Sequence, residues 1–170
     1  VLHRAASGIG TGAVRRTATV GGNVVGSTLR CLLPAALVLD ARARVLAAEG
    51  PFETDLAEVL AKKPLLLSLH WDEPLVSGYR KVEGDAGGPP PLVVAAAVHA
   101  DGDSDGNGPR QLRVAVREGY EVLSESTPFD RDADQVLHAL ERTDLAALPA
   151  AAREHLRAQV TDVLVRTGEV

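Results

Sequence analysis

Arg15-Arg16-Thr17-Ala18-Thr19-Val20-Gly21-Gly22-Asn23, followed by Leu32-Leu33-Pro34-Ala35-Ala36-Leu37-Val38-Leu39-Asp40-Ala41, is the pair of segments on which the reading of this chain turns. Two adjacent glycines let a backbone come close to a phosphate or a flat ring, because no Cβ stands in the way. Their amides can then donate to anionic oxygens. Taken alone, Gly21-Gly22-Asn23 also suits an ordinary hairpin turn, or a turn into a helix with Asn23 as the cap. The specificity lies in the whole run, in its spacing to the leucine-rich segment, and in the order of the elements C-terminal to both. The expectation is that Gly21 and Gly22 lie in a loop with amides accessible on one face, outside any regular strand or helix.

On the N-terminal side, Val1 to Gly12 reads as the end of a short helix running into a glycine loop. Ser7-Gly8-Ile9-Gly10-Thr11-Gly12 lacks a preceding strand and the dinucleotide-binding spacing, so it reads as a loop that positions Arg15. On the C-terminal side, Leu32 to Ala41 is a continuous apolar run with a proline suited to a first helical turn. Ala43 to Ala47 alternates as a strand does. Phe52, Leu56, Val59 and Leu60 have helical spacing, which predicts a helix over Phe52 to Lys63 ended by Pro64. Leu65 to Trp71 is a short apolar run read as a buried strand.

Glu83 to Pro91 is rich in Gly and Pro and reads as a linker. Leu92 to His99 is an apolar strand, and Asp101 to Arg110 a polar loop. Leu112, Val114 and Val116 alternate with Arg113, Ala115 and Arg117, which predicts a half-buried strand. Tyr120 to Ser124 continues as another, so Leu92 to Ser124 forms a three-stranded antiparallel sheet. Asp132 and Gln135 suit a capping box. Pro149 opens a final helix whose apolar stripe is Leu156, Val160, Val163 and Leu164, with Gly168 at its end. The fold class is therefore α+β. Two small lobes are expected, residues 1–77 and 78–170, the second with C-terminal helices covering its sheet.

The bulk numbers exclude several functions. The net charge is −5 with no basic run, so nothing draws the chain to nucleic acid. Aromatic residues make up only 3%, too few for a single-strand stacking platform. A hydrophobic content of 45% supports a normal core, yet no uninterrupted apolar run reaches membrane-spanning length. Cys31 is the only cysteine, which rules out an internal disulfide and a cysteine-ligated zinc or iron–sulfur centre, and points to a reducing, cytoplasmic setting. The chain begins at Val1 and contains no methionine, and reads as a processed or truncated piece; its Ala, Arg, Asp, Gly and Pro content with little lysine suggests a bacterial source.

The run Arg15, Ala18-Thr19-Val20-Gly21-Gly22-Asn23, with Leu32-Leu33-Pro34-Ala35 and Leu39-Asp40-Ala41 after it, resembles a segment of the flavin-binding medium subunits of molybdenum hydroxylases, the xanthine and carbon monoxide dehydrogenase family. The resemblance is sharp over Arg15–Ala41 and continues as a pattern through Leu65–Leu69, Gly78-Tyr79-Arg80-Lys81-Val82 and the terminal helices. It implies the remainder of a PCMH-type FAD-binding lobe followed by the C-terminal domain of that subunit. It also implies that Thr19, Gly21, Gly22 and Asn23 touch the FAD phosphates and ribityl chain, and that Leu67 and Lys81 lie near the flavin ring. Its function would be electron transfer from the iron–sulfur clusters of a partner subunit to an external acceptor. The molybdenum cofactor and the clusters would be held by the molybdopterin-binding and iron–sulfur partners, not by this chain.

The chain departs from the family's pattern where Cys31 stands in place of a carboxylate just before Leu32-Leu33-Pro34, and where Arg16 and Thr17 stand in place of Asn and Arg. A thiol does not supply the same charge-assisted hydrogen bond. The family's preceding lobe, which grips the FAD pyrophosphate, has no counterpart here, so this piece carries half of a cradle and is expected to be inactive and colourless by itself. The competing reading is a subunit-docking module that kept the fold and lost the flavin. Other motifs lead nowhere. Asp101-Gly102-Asp103-Ser104-Asp105-Gly106 lacks the acid that a calcium loop needs at its twelfth position, where Leu112 stands. Cys31 has no suggested base, and the five histidines show no metal-ligand spacing.

Overall fold

Short helical elements open the chain. In the computed structural model, which describes residues 1–82, 84, 88–100, 109–130 and 132–168, α1 spans Leu2–Ser7 and α2 spans Gly12–Thr17. The Thr11 hydroxyl caps α2 by accepting from the Val14 amide, so a second helix follows the expected glycine loop. No residue of α2 is buried. A π-helical turn, Gly22–Gly26, leads to α3, Leu33–Val38, with Pro34 in its first turn as expected. Five of the six residues of α3 are buried, so it runs through the middle of the molecule.

The first sheet is antiparallel, in the order β2-β1-β3, with β1 at Arg42–Ala47, β2 at Gly50–Thr54 and β3 at Leu65–His70. Between β2 and β3 lies α4, Leu56–Lys62, capped by Asp55, whose carboxylate accepts from the Glu58 amide at 2.7 Å. The helix expected from Phe52 thus starts four residues later. Phe52 pairs with Val45 in the ladder, and the Asp55 cap outweighs the helical spacing. β3 also differs from expectation. It is an edge strand, with Leu65 62% and Leu67 49% exposed.

The second sheet is antiparallel, in the order β4-β5-β6-β7. The expected meander is there, as β5 (Val93–Ala100), β6 (Arg110–Glu118) and β7 (Glu121–Pro128). Gly119, at φ +59°, makes the turn between the last two. A fourth strand, β4 at Val76–Lys81, joins alongside β5. It escapes sequence reading because Ser77, Gly78 and Arg80 hide the alternation. Gly78 is there for proximity to the last helix: a Cβ on it would overlap the Gln159 side chain and press on Val163.

One face of this sheet (Val94, Ala96, Val98, Leu112, Val114, Val116) packs on α5, Ala133–Leu140, and α6, Ala150–Thr167, with a 3-10 turn, Asp144–Ala147, between them. Leu156, Val160, Val163 and Leu164 are all buried in this core, as their stripe predicts. Asp132 caps α5, accepting from the Asp134 and Gln135 amides, and the Gln135 amide group donates back to it. The other face presents Ala95, Ala97 and Ala115, whose small side chains leave room for Val38 of α3. Helix α3 is thereby shared between the two sheets. Among the described residues no helix is long and apolar enough to cross a membrane.

Candidate functional site

Thr19 organises the glycine run. Its hydroxyl accepts from the Gly22 amide at 3.0 Å and its carbonyl accepts from the Asn23 amide at 3.0 Å. Together these wind Val20–Gly26 into helical turns. Gly21 and Gly22 therefore do not sit in an open loop. They form the first turn of a short helical segment, and Gly21 has right-handed helical angles, φ −58° and ψ −46°. The physical reason is the cap: a threonine just before two small residues satisfies the first amides and lets the backbone coil.

Asn23 is not the cap that its position suggested. Its Oδ1 accepts from the Leu32 amide at 2.8 Å, which ties this turn to the start of α3. Thr19 and Gly22 face solvent, whereas Gly21 is half-buried on Leu66. A Cβ at Gly21 would make only ordinary contact with Leu66, at 3.6 Å, while one at Gly22 would come within 2.9 Å of the Thr19 hydroxyl oxygen.

Beside this turn runs an apolar groove of about 280 Å³, between Val20 and Gly21 on one side and Leu66, Leu67 and Trp71 on the other, with Leu2 at its end. No charged side chain lines it. Lys81 is not part of it: at the end of β4, its Nζ donates to the Gly8 carbonyl at 2.8 Å. The structure thus brings Gly21 and Leu67 into one groove, with Thr19 and Gly22 in the adjoining turn. It turns Asn23 inward to the α3 junction and sets Lys81 against the loop after α1.

Arg117 was not singled out by the sequence, yet it holds the site's far side in place. It is 1% exposed. Its Nη1 donates to the Leu29 carbonyl at 2.7 Å and lies 3.3 Å from Cys31 Sγ, and its Nη2 donates to the Pro91 carbonyl at 2.7 Å. Nε has no partner among the described residues. A strand of the second sheet thereby clasps the loop C-terminal to the glycine run. In that loop Arg30 adopts φ +42°, a left-handed conformation uncommon for a residue with a Cβ. Burial pushes the nearby half-buried Tyr79 hydroxyl above its usual range, while the Arg117 charge acts in the opposite direction. In the sequence Arg113 and Arg117 read alike, as the polar face of an alternating strand. Only the arrival of α3 and its preceding loop distinguishes them.

Among the described residues, no group of three or more His, Cys, Asp or Glu side chains is placed to hold a metal ion. His99 Nε2 lies 2.8 Å from the Val38 carbonyl and His70 Nε2 lies 3.7 Å from a Glu53 carboxylate oxygen, so both have structural partners. The Asp101–Gly106 run lies outside the described residues.

Comparison with known proteins is informative at the level of structure. No family model matches the chain, and no curated protein matches it. Among solved structures, a chain of quinoline 2-oxidoreductase from Pseudomonas putida 86 superposes with a TM-score of 0.63 at 14% sequence identity. The alignment covers 98% of this chain and 66% of that one, so this chain spans less than two thirds of its structural neighbour. The α+β fold, with its two antiparallel sheets and C-terminal helices, is one shared with a chain of that oxidoreductase.

Proposed function

We propose that this chain is the C-terminal portion of the FAD-binding medium subunit of a molybdenum-hydroxylase-type oxidoreductase, residues 1–77 belonging to the flavin lobe and 78–170 to the domain after it. In this role it relays electrons from the iron–sulfur clusters of a partner subunit to an external acceptor, and substrate is oxidised at a molybdenum cofactor held by another partner. One observation carries the reading. The Thr19-capped Gly21-Gly22 turn stands beside an uncharged groove containing Leu67, on a fold shared with a quinoline 2-oxidoreductase chain.

The residues present fit one wall of a flavin site. The Thr19 hydroxyl, which accepts from Gly22, keeps its own proton to donate at the surface, and Leu66, Leu67 and Val20 offer an apolar face against which a flat ring can rest. Bound FAD supplies the electron exchange; the protein supplies position and electrostatics. At about 280 Å³ the groove is at the small end of ligand sites, which commonly measure roughly 300–1,000 Å³. A dinucleotide overfills it, so the second wall comes from elsewhere in the parent protein. The exposure of Val14, Val20, Leu65 and Leu67 around the same turn is consistent with a face that another lobe covers. Lys81, held on Gly8, reaches the ring only if that loop shifts, and is the weakest member of the proposed set.

A docking module without flavin is the second reading, and Cys31 favours it. The residue in the carboxylate's place is hydrogen-bonded to the buried Arg117 instead of being free to reach a cofactor. One titration separates the two readings. FAD fluorescence is followed against this chain and against a longer form that restores the preceding lobe. The expected result is no saturation with this chain and tight, yellow retention by the longer form. A longer form that stays free of flavin selects the docking module. Micromolar saturation by this chain alone refutes the half-site argument.

A further inference from the structure

A second cleft, of about 660 Å³, opens where the two sheets meet beyond the end of α3. Its walls are set by strand alternation. On β5 and β6 the face toward α3 carries Ala95, Ala97 and Ala115 where the helix packs; past the helix end the same face carries His99, Gln111 and Arg113, which overhang the gap. Opposite them, Arg42 of β1 and His70 of β3 are ladder partners, and Trp71 comes directly after His70. The walls are pinned to one another. His99 Nε2 lies 2.8 Å from the Val38 carbonyl, and Arg113 Nη2 donates to Asp40 Oδ2 at 2.9 Å. Residues 101–108, C-terminal to Ala100 in one wall, are not described, and no part of the site is assigned to them.

The chemistry of this lining is mixed in a specific way. Trp71 is the chain's only tryptophan and is 37% exposed, an unusual use of aromatic surface in a chain with 3% aromatics. Asp40 is taken up by Arg113, whereas Arg42 makes no ion pair among the described residues. Asp72 and Gln111 add an acceptor and an amide group able to donate and accept. A flat face, a cation without a carboxylate partner, and edge-reading polar groups within one cleft of this size suit a nucleotide.

We propose that this cleft binds a nucleoside monophosphate, with the base against Trp71, its edge toward Asp72 and Gln111, and the phosphate on Arg42. Arg42, Gln111 and Arg113 line this cleft and not the groove beside Gly21, while Trp71 borders both, so variants of Arg42 and Leu67 tell the two sites apart.

The single tryptophan is its own reporter. Emission of Trp71 is followed while the purified chain is titrated with adenosine and guanosine monophosphates, and separately with adenosine, benzoate and inorganic phosphate. Saturable quenching by a monophosphate is expected, with adenosine weaker by about tenfold, the equivalent of roughly 1.4 kcal/mol. Arg42→Ala should weaken the nucleotide to a similar extent, while Leu67→Ala in the other groove should leave its affinity unchanged. On the unaltered chain, amide resonances of His99 and Gln111 should shift on addition of the nucleotide. The proposal is overturned if no monophosphate saturates the signal, if benzoate binds and the nucleotides do not, if Arg42→Ala has no effect, or if Leu67→Ala is the variant that abolishes binding.

Discussion

Replacing Arg117 by methionine tests whether a buried guanidinium clasps the loop behind the glycine run. The substitution keeps much of the side-chain length and removes the charge and every donor. Two carbonyls, Leu29 and Pro91, lose charge-assisted hydrogen bonds of 2.7 Å, each worth roughly 1.5–3 kcal/mol. Against that stands the relief of burying a cation that has no carboxylate partner among the described residues, an effect of several kcal/mol in the opposite direction. Because both carbonyls lose their donor in part-buried contacts, we expect the loss to win by about 1–3 kcal/mol, which for a chain of this size lowers the melting temperature by roughly 2–12 °C. Urea denaturation gives the magnitude, with a lower midpoint and an unchanged slope. The half-buried thiol of Cys31, released from Nη1, should also react faster with a chromogenic disulfide reagent. A variant as stable as the parent or more so, with Cys31 no more reactive, refutes the clasp.

Gly78→Ala places a methyl group into Gln159 and against Val163 where β4 meets α6; overpacking of this kind costs about 1–3 kcal/mol, and the thermal midpoint should fall, whereas Gly21→Ala, with only ordinary contact to Leu66, should leave it nearly unchanged. Thr19→Ala removes the hydroxyl that accepts from Gly22; roughly 0.5–2 kcal/mol of cap energy is lost, visible as faster hydrogen exchange in the Gly22–Gly26 turn with the second sheet unaffected. Tyr79 holds its proton more tightly folded than unfolded because burial disfavours the phenolate. Its contribution is complete below its ordinary value of 10.0 and fades as the pH rises through the higher folded value. Denaturation midpoints of the parent should therefore fall more steeply above that pH than those of Tyr79→Phe, and parallel curves would contradict the assignment.

Legibility in the sequence tracks the range of the forces involved. The β5–β6–β7 meander, the Asp132 cap of α5 and the stripe of α6 were readable because each is set by neighbours within a few residues. Phe52 misled because its helical spacing to Leu56 is real, but a cross-strand partner, Val45, decided its conformation. β4 was hidden because its place is set by α6, from which Arg166 reaches back to the Ser77 carbonyl. The glycine turn was located correctly and its conformation was not, since two adjacent glycines have no conformational preference of their own and the Thr19 cap decided between loop and helix.

The amino-acid order by itself determined the β5–β6–β7 meander and the two C-terminal helices, which faces of β5, β6 and α6 are apolar, and that the chain is α+β with a resemblance centred on Arg15–Ala41. The tertiary structure alone decided what covers those faces. Arg113 and Arg117 sit on the same side of one strand, yet the first lines an open cleft and the second is sealed against Leu29, a residue 88 positions away. Leu67 and Val114 are equally apolar, yet one is left on an edge strand and the other is buried. Alternation specifies a face, but burial depends on what arrives from distant parts of the chain, and no local pattern encodes that arrival.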